Sequence, residues 1–248
     1  MIPFLLALAA AAQAPALPSE AACAALVKTA PEQAIAMAND WRLKGGGIKA
    51  RQCLGLAYGK LERWAPAATA FEQAALEAEA AKDPGRADFW TQSGNSWLAA
   101  GDQAKARKAF DAALAIPSLA SELRGEVHLD RARAAVAAGD LVSARADIDQ
   151  GLKLVPADPF AWYLSSALAL REERLGRAKE DIAKAVSLAP DDADILLQAG
   201  TVAGVTGEVV AAQSFYERAA RLAPDSPAGK AAQTALAANG GVQAAPSK

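Results

Sequence analysis

Histidine, cysteine and aromatic residues are scarce in this chain of 248 residues, which has one histidine, two cysteines and 6% aromatic residues. A lone histidine, His128, cannot form a zinc site without further ligands at suitable spacing. It would also have to serve any catalytic triad, and no G-x-S-x-G nucleophile context is present. The glycines at 45–47 lack the spacing of a phosphate-binding loop. The sequence therefore predicts no catalytic, cofactor or metal site.

The chain also lacks an excess of positive charge and an apolar run long enough to cross a bilayer. Its net charge is −2 and its pI about 5.6, whereas nucleic-acid-binding domains usually carry a basic patch or a high pI. The apolar run at residues 2–12 is shorter than the roughly 20 residues that a spanning helix needs. We therefore expect no nucleic-acid partner and no membrane span in the mature chain.

The first 14 residues, MIPFLLALAAAAQA, have the apolar centre and small residues of a secretory signal peptide. The small residues predict cleavage near residue 12, although the segment has no Lys or Arg at its start. The alternative is a frayed apolar N-terminus of a cytosolic protein. A signal peptide at 1–14 predicts a periplasmic or secreted protein.

Export would change the expected oxidation state of the two cysteines, Cys23 and Cys53. In an oxidising compartment they could form a disulfide that closes a loop of about 30 residues and stabilises by roughly 3–4 kcal/mol. The alternative is two buried thiols that pack as small apolar residues. The sequence leaves both interpretations open.

Alanine supplies most of the hydrophobic content of 52%. It is the strongest helix former, and no stretch alternates apolar and polar residues long enough to indicate a sheet. These two observations favour an all-α protein.

The helical sequence repeats with a period of 34 residues. Pro156, Pro190 and Pro224 follow one another at this spacing, and Gly139 and Gly207 lie two periods apart. A fixed period of this size indicates stacked supersecondary units, because no single helix pair can bury its own apolar face.

The residues within each period resemble the tetratricopeptide repeat (TPR) family, whose pattern is W-x2-L-G-x2-Y, then Ala, Phe and Pro. The clearest unit, at 87–120, matches that pattern at Trp90, Gly94, Trp97, Ala106, Phe110 and Ala113. Five units are predicted within 48–226, at 48–81, 87–120, 125–158, 159–192 and 193–226. Arg51 and His128 depart from the pattern because each occupies a Trp position. The resemblance implies an all-α, right-handed α-solenoid of stacked antiparallel helix pairs.

Small and large residues alternate in this pattern. Small residues such as Gly94 and Gly200 allow two helices to cross closely, and large ones such as Phe110 and Tyr216 fill the space between units. Glycine in the turn accepts positive φ. Each unit is therefore expected to pack on the next in the same way.

The segments on either side of the repeats match the pattern poorly. Residues 15–47 are predicted to form a capping helix pair or a degenerate repeat. Residues 227–238 are predicted to form a capping helix, which a solenoid needs to cover its last apolar face. The tail at 239–248 is predicted to be disordered.

TPR resemblance implies a protein or peptide partner on the concave face, which the first helix of each unit lines. The candidate partner-binding residues are Asn95, Leu129, Arg133, Phe160, Tyr163 and Leu170. They combine an apolar centre with an arginine that could pair with an acidic side chain, as interface anchors often do. Alternatively, the neighbouring unit covers Phe160 and Tyr163.

The resemblance and the residues together favour an exported TPR scaffold or adaptor without catalysis or cofactor. A self-associating structural envelope protein is the alternative. An enzyme is a remote third hypothesis, because the candidate catalytic groups do not converge.

Overall fold

The computed structural model describes residues 18–243, with side chains as far as residue 238. Within this range the chain forms 13 α-helices and no β-strand, which confirms the predicted all-α fold class. The predicted signal peptide at 1–14 and the last five residues of the tail lie outside the described residues.

The helices follow one another with short connections. In chain order they are α1 Glu20–Thr29, α2 Pro31–Leu43, α3 Gly47–Lys60, α4 Trp64–Ala80, α5 Arg86–Ala99, α6 Gln103–Leu114, α7 Ser121–Ala137, α8 Leu141–Leu154, α9 Pro159–Arg171, α10 Leu175–Leu188, α11 Ala193–Val205, α12 Val209–Leu222 and α13 Pro227–Gln243.

Each predicted unit corresponds to one helix pair. The pairs are α3 with α4, α5 with α6, α7 with α8, α9 with α10, and α11 with α12. Among the described contacts, α3 packs on α4, α7 on α8, α9 on α10 and α11 on α12, and the pairs from α7 to α12 stack through α8 with α9 and α10 with α11. This arrangement is an α-solenoid of stacked helix pairs.

The chain divides into two compact units, and the boundary between Ser96 and Trp97 falls within α5. In unit 1, which ends at Ser96, the core includes Cys23, Ala38 and Cys53. A disulfide between Cys23 and Cys53 joins α1 to α3. Unit 2, which begins at Trp97, has successive core clusters between its stacked helices.

The turns inside the pairs share one backbone conformation. A residue with positive φ occupies the same position of each predicted unit: Glu62 (56°), Gly101 (79°), Gly139 (80°), Glu173 (58°) and Gly207 (82°). After two of the glycines, an aspartate accepts a hydrogen bond from a backbone N–H of the next helix and so caps it. The second helix of each pair therefore starts from the same left-handed turn.

Helix α13 covers the end of the last helix pair. Its Ala228 and Ala232 are buried, and Ala232 packs in a cluster with Leu196 and Tyr216. The backbone remains helical through Gln243, beyond the predicted helix end at residue 238 and into the predicted disordered tail. No proline interrupts the backbone hydrogen bonds before that point.

Candidate functional site

A groove lies between α7 and α9, the first helices of two consecutive pairs in unit 2. It contains a cavity of about 220 Å³, which we call the α7/α9 groove. Its walls are apolar, with two arginines and one tyrosine. The lining residues are Ala132, Arg133, Val136, Ile148, Tyr163, Leu164, Ala167, Leu168 and Arg171.

Two guanidinium groups give the groove its charge. Arg133, with 44% of its side chain exposed, pairs with Asp130 one turn earlier on α7 (Nη1 to Oδ1, 2.8 Å). Arg171 is exposed in the last turn of α9, where the helix dipole favours a cation. No ion pair of Arg171 is found among the described residues. The groove thus presents a cation that is available to an acidic group.

An aromatic pair borders the groove. The rings of Phe160 and Tyr163 stack with their centroids 5.8 Å apart and their planes 16° apart. Phe160 is 41% exposed, and Tyr163 is half-buried. Burial raises the pKa of Tyr163, and the charges of Asp194 and Asp192 raise it further. The phenol therefore stays protonated and can donate a hydrogen bond to a partner.

The structure brings together three of the predicted partner-binding residues. Arg133 and Tyr163 line the same cavity, and Phe160 stacks on Tyr163. Leu170 is instead partly buried against the core cluster that contains Ala169. The groove therefore includes only some of the predicted candidate residues.

Leu129 is not available to a partner, which corrects its placement in the predicted site. It is only 2% exposed and belongs to the core between α7 and α8. It fills the space left by Gly151, where a Cβ atom would lie 2.5 Å from Leu129 Cδ2. The side chain of Leu129 therefore packs between α7 and α8 and is not part of the surface that a partner can reach.

Asn95 lies in unit 1 and is half-buried in α5. His128, which occupies a Trp position of the repeat pattern, lies outside the lining of the groove. Its Nδ1 donates to Asp147 Oδ1 at 2.9 Å, so its surroundings are polar.

Sequence reasoning missed Arg171. It follows Tyr163 by eight residues and Ala167 by four on the same helix, a spacing that places all three on one face. That spacing was the signal that could have identified it.

The side chains that line the groove are suited to binding another molecule. Two guanidinium groups and a phenol can bind a carboxylate by charge-assisted hydrogen bonds, and the aliphatic walls can bury an apolar side chain. Among the described residues, no group of three or more His, Cys, Asp or Glu side chains is arranged to hold a metal ion. The same residues include no helix that combines the length and the apolar character needed to span a membrane.

Residues 161–192, which form most of α9 and α10, match the family model of the tetratricopeptide repeat. Among characterised proteins, the human protein O-mannosyl-transferase TMTC1 is 37% identical over 83 residues, and its mouse counterpart is 36% identical. These residues are 32% of this chain. The chain spans about 9% of the length of these two relatives.

Solved structures show the same fold. PilW, described as a widely conserved type IV pilus biogenesis factor, has a TM-score of 0.70 and 21% identity over 88% of this chain and 96% of its own. YrrB, described as a TPR protein with an unusual peptide-binding site, has a TM-score of 0.52 and 15% identity over 79% of this chain and 96% of its own. At these identities the likeness concerns the fold alone.

Proposed function

We propose that this chain is a tetratricopeptide-repeat scaffold without catalysis, and that it binds a segment of another protein in the α7/α9 groove. The family match at residues 161–192 and the fold shared with PilW support the repeat assignment. The observation that carries the proposal is the cavity of about 220 Å³ in which Arg133, Tyr163 and Arg171 meet over apolar walls. The described peptide-binding site of YrrB supports the same kind of function for this fold.

The chemistry of the groove specifies the partner segment. Arg171 attracts a carboxylate, and the cavity walls accept an aliphatic or aromatic side chain next to it. The exposed ring of Phe160 extends the apolar surface beyond the cavity. We therefore propose a peptide with an acidic residue beside a large apolar one.

The scaffold acts in the periplasm or outside the cell. Two features support this part of the proposal: the signal-like composition of residues 1–14, and the disulfide between Cys23 and Cys53, a bond typical of oxidising compartments. The test is to fuse residues 1–17 to alkaline phosphatase, which is active only after export. An inactive fusion would contradict the proposal.

The remote alternative is that the protein is an enzyme, and the sequence similarity to the O-mannosyl-transferases is the observation that favours it. That similarity covers only a small fraction of the length of those enzymes. The binding hypothesis has the stronger support because a specific cavity carries it.

A peptide selection tests the binding function. The full chain, immobilised, is offered a random peptide phage library, and the affinity of each enriched peptide is measured by fluorescence anisotropy. We expect the peptides to share an acidic residue beside an apolar one. Replacing Arg171 with Ala should weaken binding about tenfold, because a charge-assisted hydrogen bond is lost.

The matched control is Arg221→Ala on α12, an exposed arginine outside the groove lining. It should leave the affinity unchanged, while Tyr163→Ala should weaken binding as Arg171→Ala does. Equal losses in Arg171→Ala and Arg221→Ala would indicate non-specific attraction to positive charge. No enrichment at all would remove the peptide-binding function.

A further inference from the structure

Successive grooves separate the second helices of neighbouring pairs in unit 2, and polar side chains fill the first two. Between α6 and α8, Arg131 donates to Asp147 and to Asp111, each at 2.6 Å. Between α8 and α10, Ser165 Oγ donates to Asp181 Oδ2 at 2.5 Å. Both grooves are thus occupied by the protein's own hydrogen-bonded groups.

The third groove, between α10 and α12, is apolar at its centre. One 34-residue period later, Ala199 takes the place of Ser165, and Phe215 takes the place of Asp181. A cavity of about 270 Å³ lies between these side chains and Ala183 of α10. We call it the α10/α12 cleft. It accepts an apolar group where the two preceding grooves hold ions.

The border of the cleft carries one charge of each sign and a cluster of exposed valines. Lys179 and Glu208 line the cleft and form an ion pair with each other. The valines close to Glu208 in the chain, Val205, Val209 and Val210, are 57%, 53% and 85% exposed. We call these three residues the valine rim. Exposed valines and an apolar cleft therefore occur in one region of the surface.

From this juxtaposition we infer that the α10/α12 cleft is the interface of a twofold-symmetric dimer, and that its occupant is the valine rim of a second copy of this chain. In a twofold interface the same patch lies on both copies, so the patch must be self-complementary. The cleft and the valine rim supply the cavity and the protruding groups that such a patch needs.

The charges at the cleft favour a second copy over a different partner. One lysine and one glutamate balance each other, so the patch does not attract a ligand of either sign. Across a twofold axis, Lys179 of each copy can pair with Glu208 of the other. Each copy therefore exchanges an internal ion pair for an intermolecular one and leaves no charge unpaired.

The dimer is independent of the α7/α9 groove, since the two cavities share no lining residue. Peptide binding and dimerisation can be measured on the same variants, and a failure of one is distinguishable from a failure of the other.

Sedimentation equilibrium of the full exported protein tests the inference. We expect the mass to rise with concentration from that of one chain to that of two, and no further. Ala183→Glu places a carboxylate in the apolar cleft, and Val210→Lys replaces part of the valine rim with a charge. Each should raise the dimer dissociation constant roughly tenfold or more, because a charged side chain would have to leave water at the interface.

The matched control is Val142→Lys on α8. Val142 is 84% exposed and lies two repeat periods before Val210, next to a groove that is already filled. This variant should dimerise as the wild type does, and circular dichroism should show unchanged helicity in all three variants. A wild type that stays monomeric, a mass that keeps rising past two copies, or equal losses in Val142→Lys and Val210→Lys would each overturn the inference.

Discussion

At the scale of single residues, the buried carboxylate of Asp147 on α8 forms hydrogen bonds to two side chains of α7. It is 5% exposed and accepts hydrogen bonds from Arg131 Nε at 2.9 Å, Arg131 Nη2 at 2.6 Å and His128 Nδ1 at 2.9 Å. Arg131 also reaches Asp111 on α6 at 2.6 Å. A charge buried in this way depends on its partners, since breaking such a pair leaves the other charge uncompensated.

Replacing Asp147 with Asn should therefore destabilise the protein by about 2–4 kcal/mol, because Arg131 would keep its charge without the bidentate acceptor. Urea unfolding followed by circular dichroism measures the change. The control is Asp111→Asn, since the side chain of Asp111 is 49% exposed. It should cost less than about 1 kcal/mol. Similar losses in both variants would contradict the special role of Asp147.

Asp147 also makes stability depend on pH. Burial acts to raise the pKa of this carboxyl, but the hydrogen bonds from His128 and Arg131 outweigh burial and hold the pKa below its ordinary value. A lowered pKa in the folded state gives stability that is present above the unfolded pKa, about 3.9. That stability is lost as the pH falls through the folded value.

We accordingly expect the free energy of unfolding to fall more steeply below about pH 4 in the wild type than in Asp147→Asn, which has no proton to bind at this position. Urea titrations at several acidic pH values measure the two slopes. Parallel slopes would show that other carboxylates dominate the acid response.

At the scale of the helices, glycine fixes how closely two of them approach. A Cβ atom on Gly200 of α11 would lie 2.5 Å from the Tyr216 ring of α12, whereas one on Gly204 would meet nothing closer than 3.9 Å. Tyr216 is 7% exposed, so its ring has little room to move. The two glycines are one turn apart on the same helix and differ in this contact.

Gly200→Ala should destabilise the protein by about 1–3 kcal/mol through overpacking. Gly204→Ala should instead stabilise it by up to about 0.5 kcal/mol, because alanine forms helix more readily. Thermal unfolding of both variants beside the wild type measures the difference. A stabilising Gly200→Ala would show that the two helices separate at little cost.

The disulfide links two elements of unit 1 that are distant in sequence. Cys23 of α1 and Cys53 of α3 are 30 residues apart, and both are buried in the same core cluster. The bond limits the conformations open to the unfolded chain and so favours the folded state.

Replacing both cysteines with serine should lower the stability of unit 1 by about 3–4 kcal/mol. Hydrogen exchange measures this locally: amides of α1 and α2 should exchange faster, while those of α11 in unit 2 should be unchanged. Faster exchange in all helices would contradict a local effect, and unchanged exchange in α1 would show that packing alone holds that helix.

The elements also show how much of the molecule could be predicted from sequence. The helix pairs could be predicted, because the 34-residue period places small residues where two helices cross and turn residues between the helices. Aspartates that follow the repeat prolines are also predicted from sequence to cap the next helix: Asp158, Asp191 or Asp192, and Asp225. Asp158 and Asp192 each accept a backbone N–H at the start of their helix. At α13 the backbone N–H of Gly229 donates to Ser226 Oγ instead.

The proposed binding surface could be predicted only in part. Arg133 and Tyr163 follow from their repeat positions, but the burial of Leu129 depends on Gly151 in the next helix. The α10/α12 cleft depends on Ala183, Ala199 and Phe215, which come from three different helices. Such features need the distances between elements, and a pattern along one element does not contain them.

At the scale of the whole molecule, stability depends on covering the apolar faces of the stacked pairs. Each pair contacts only its neighbours, so a terminal pair needs a cap. Helix α13 does this for α11 and α12 by burying Ala232 against Leu196, Tyr216 and Ala219. The cap is thus part of the core even though it belongs to no repeat.

Removing residues 227–248 should therefore expose this apolar face, lower the thermal midpoint and cause aggregation. Static light scattering during a thermal ramp detects both effects. Removing only residues 244–248 is the control and should leave the midpoint unchanged. A soluble, equally stable protein without α13 would show that the last pair needs no cover.

The left-handed turns have a consequence for how such a chain can change over generations. Two of the five turns hold a glutamate where the other three hold glycine, yet the backbone is the same in all five. Glutamate in this conformation is strained by roughly 1 kcal/mol, and the stacked helices on either side tolerate that strain. Glycine and glutamate can therefore replace each other at this position without changing the turn that links the two helices, so a duplicated unit can diverge in its turn sequence and keep its hairpin.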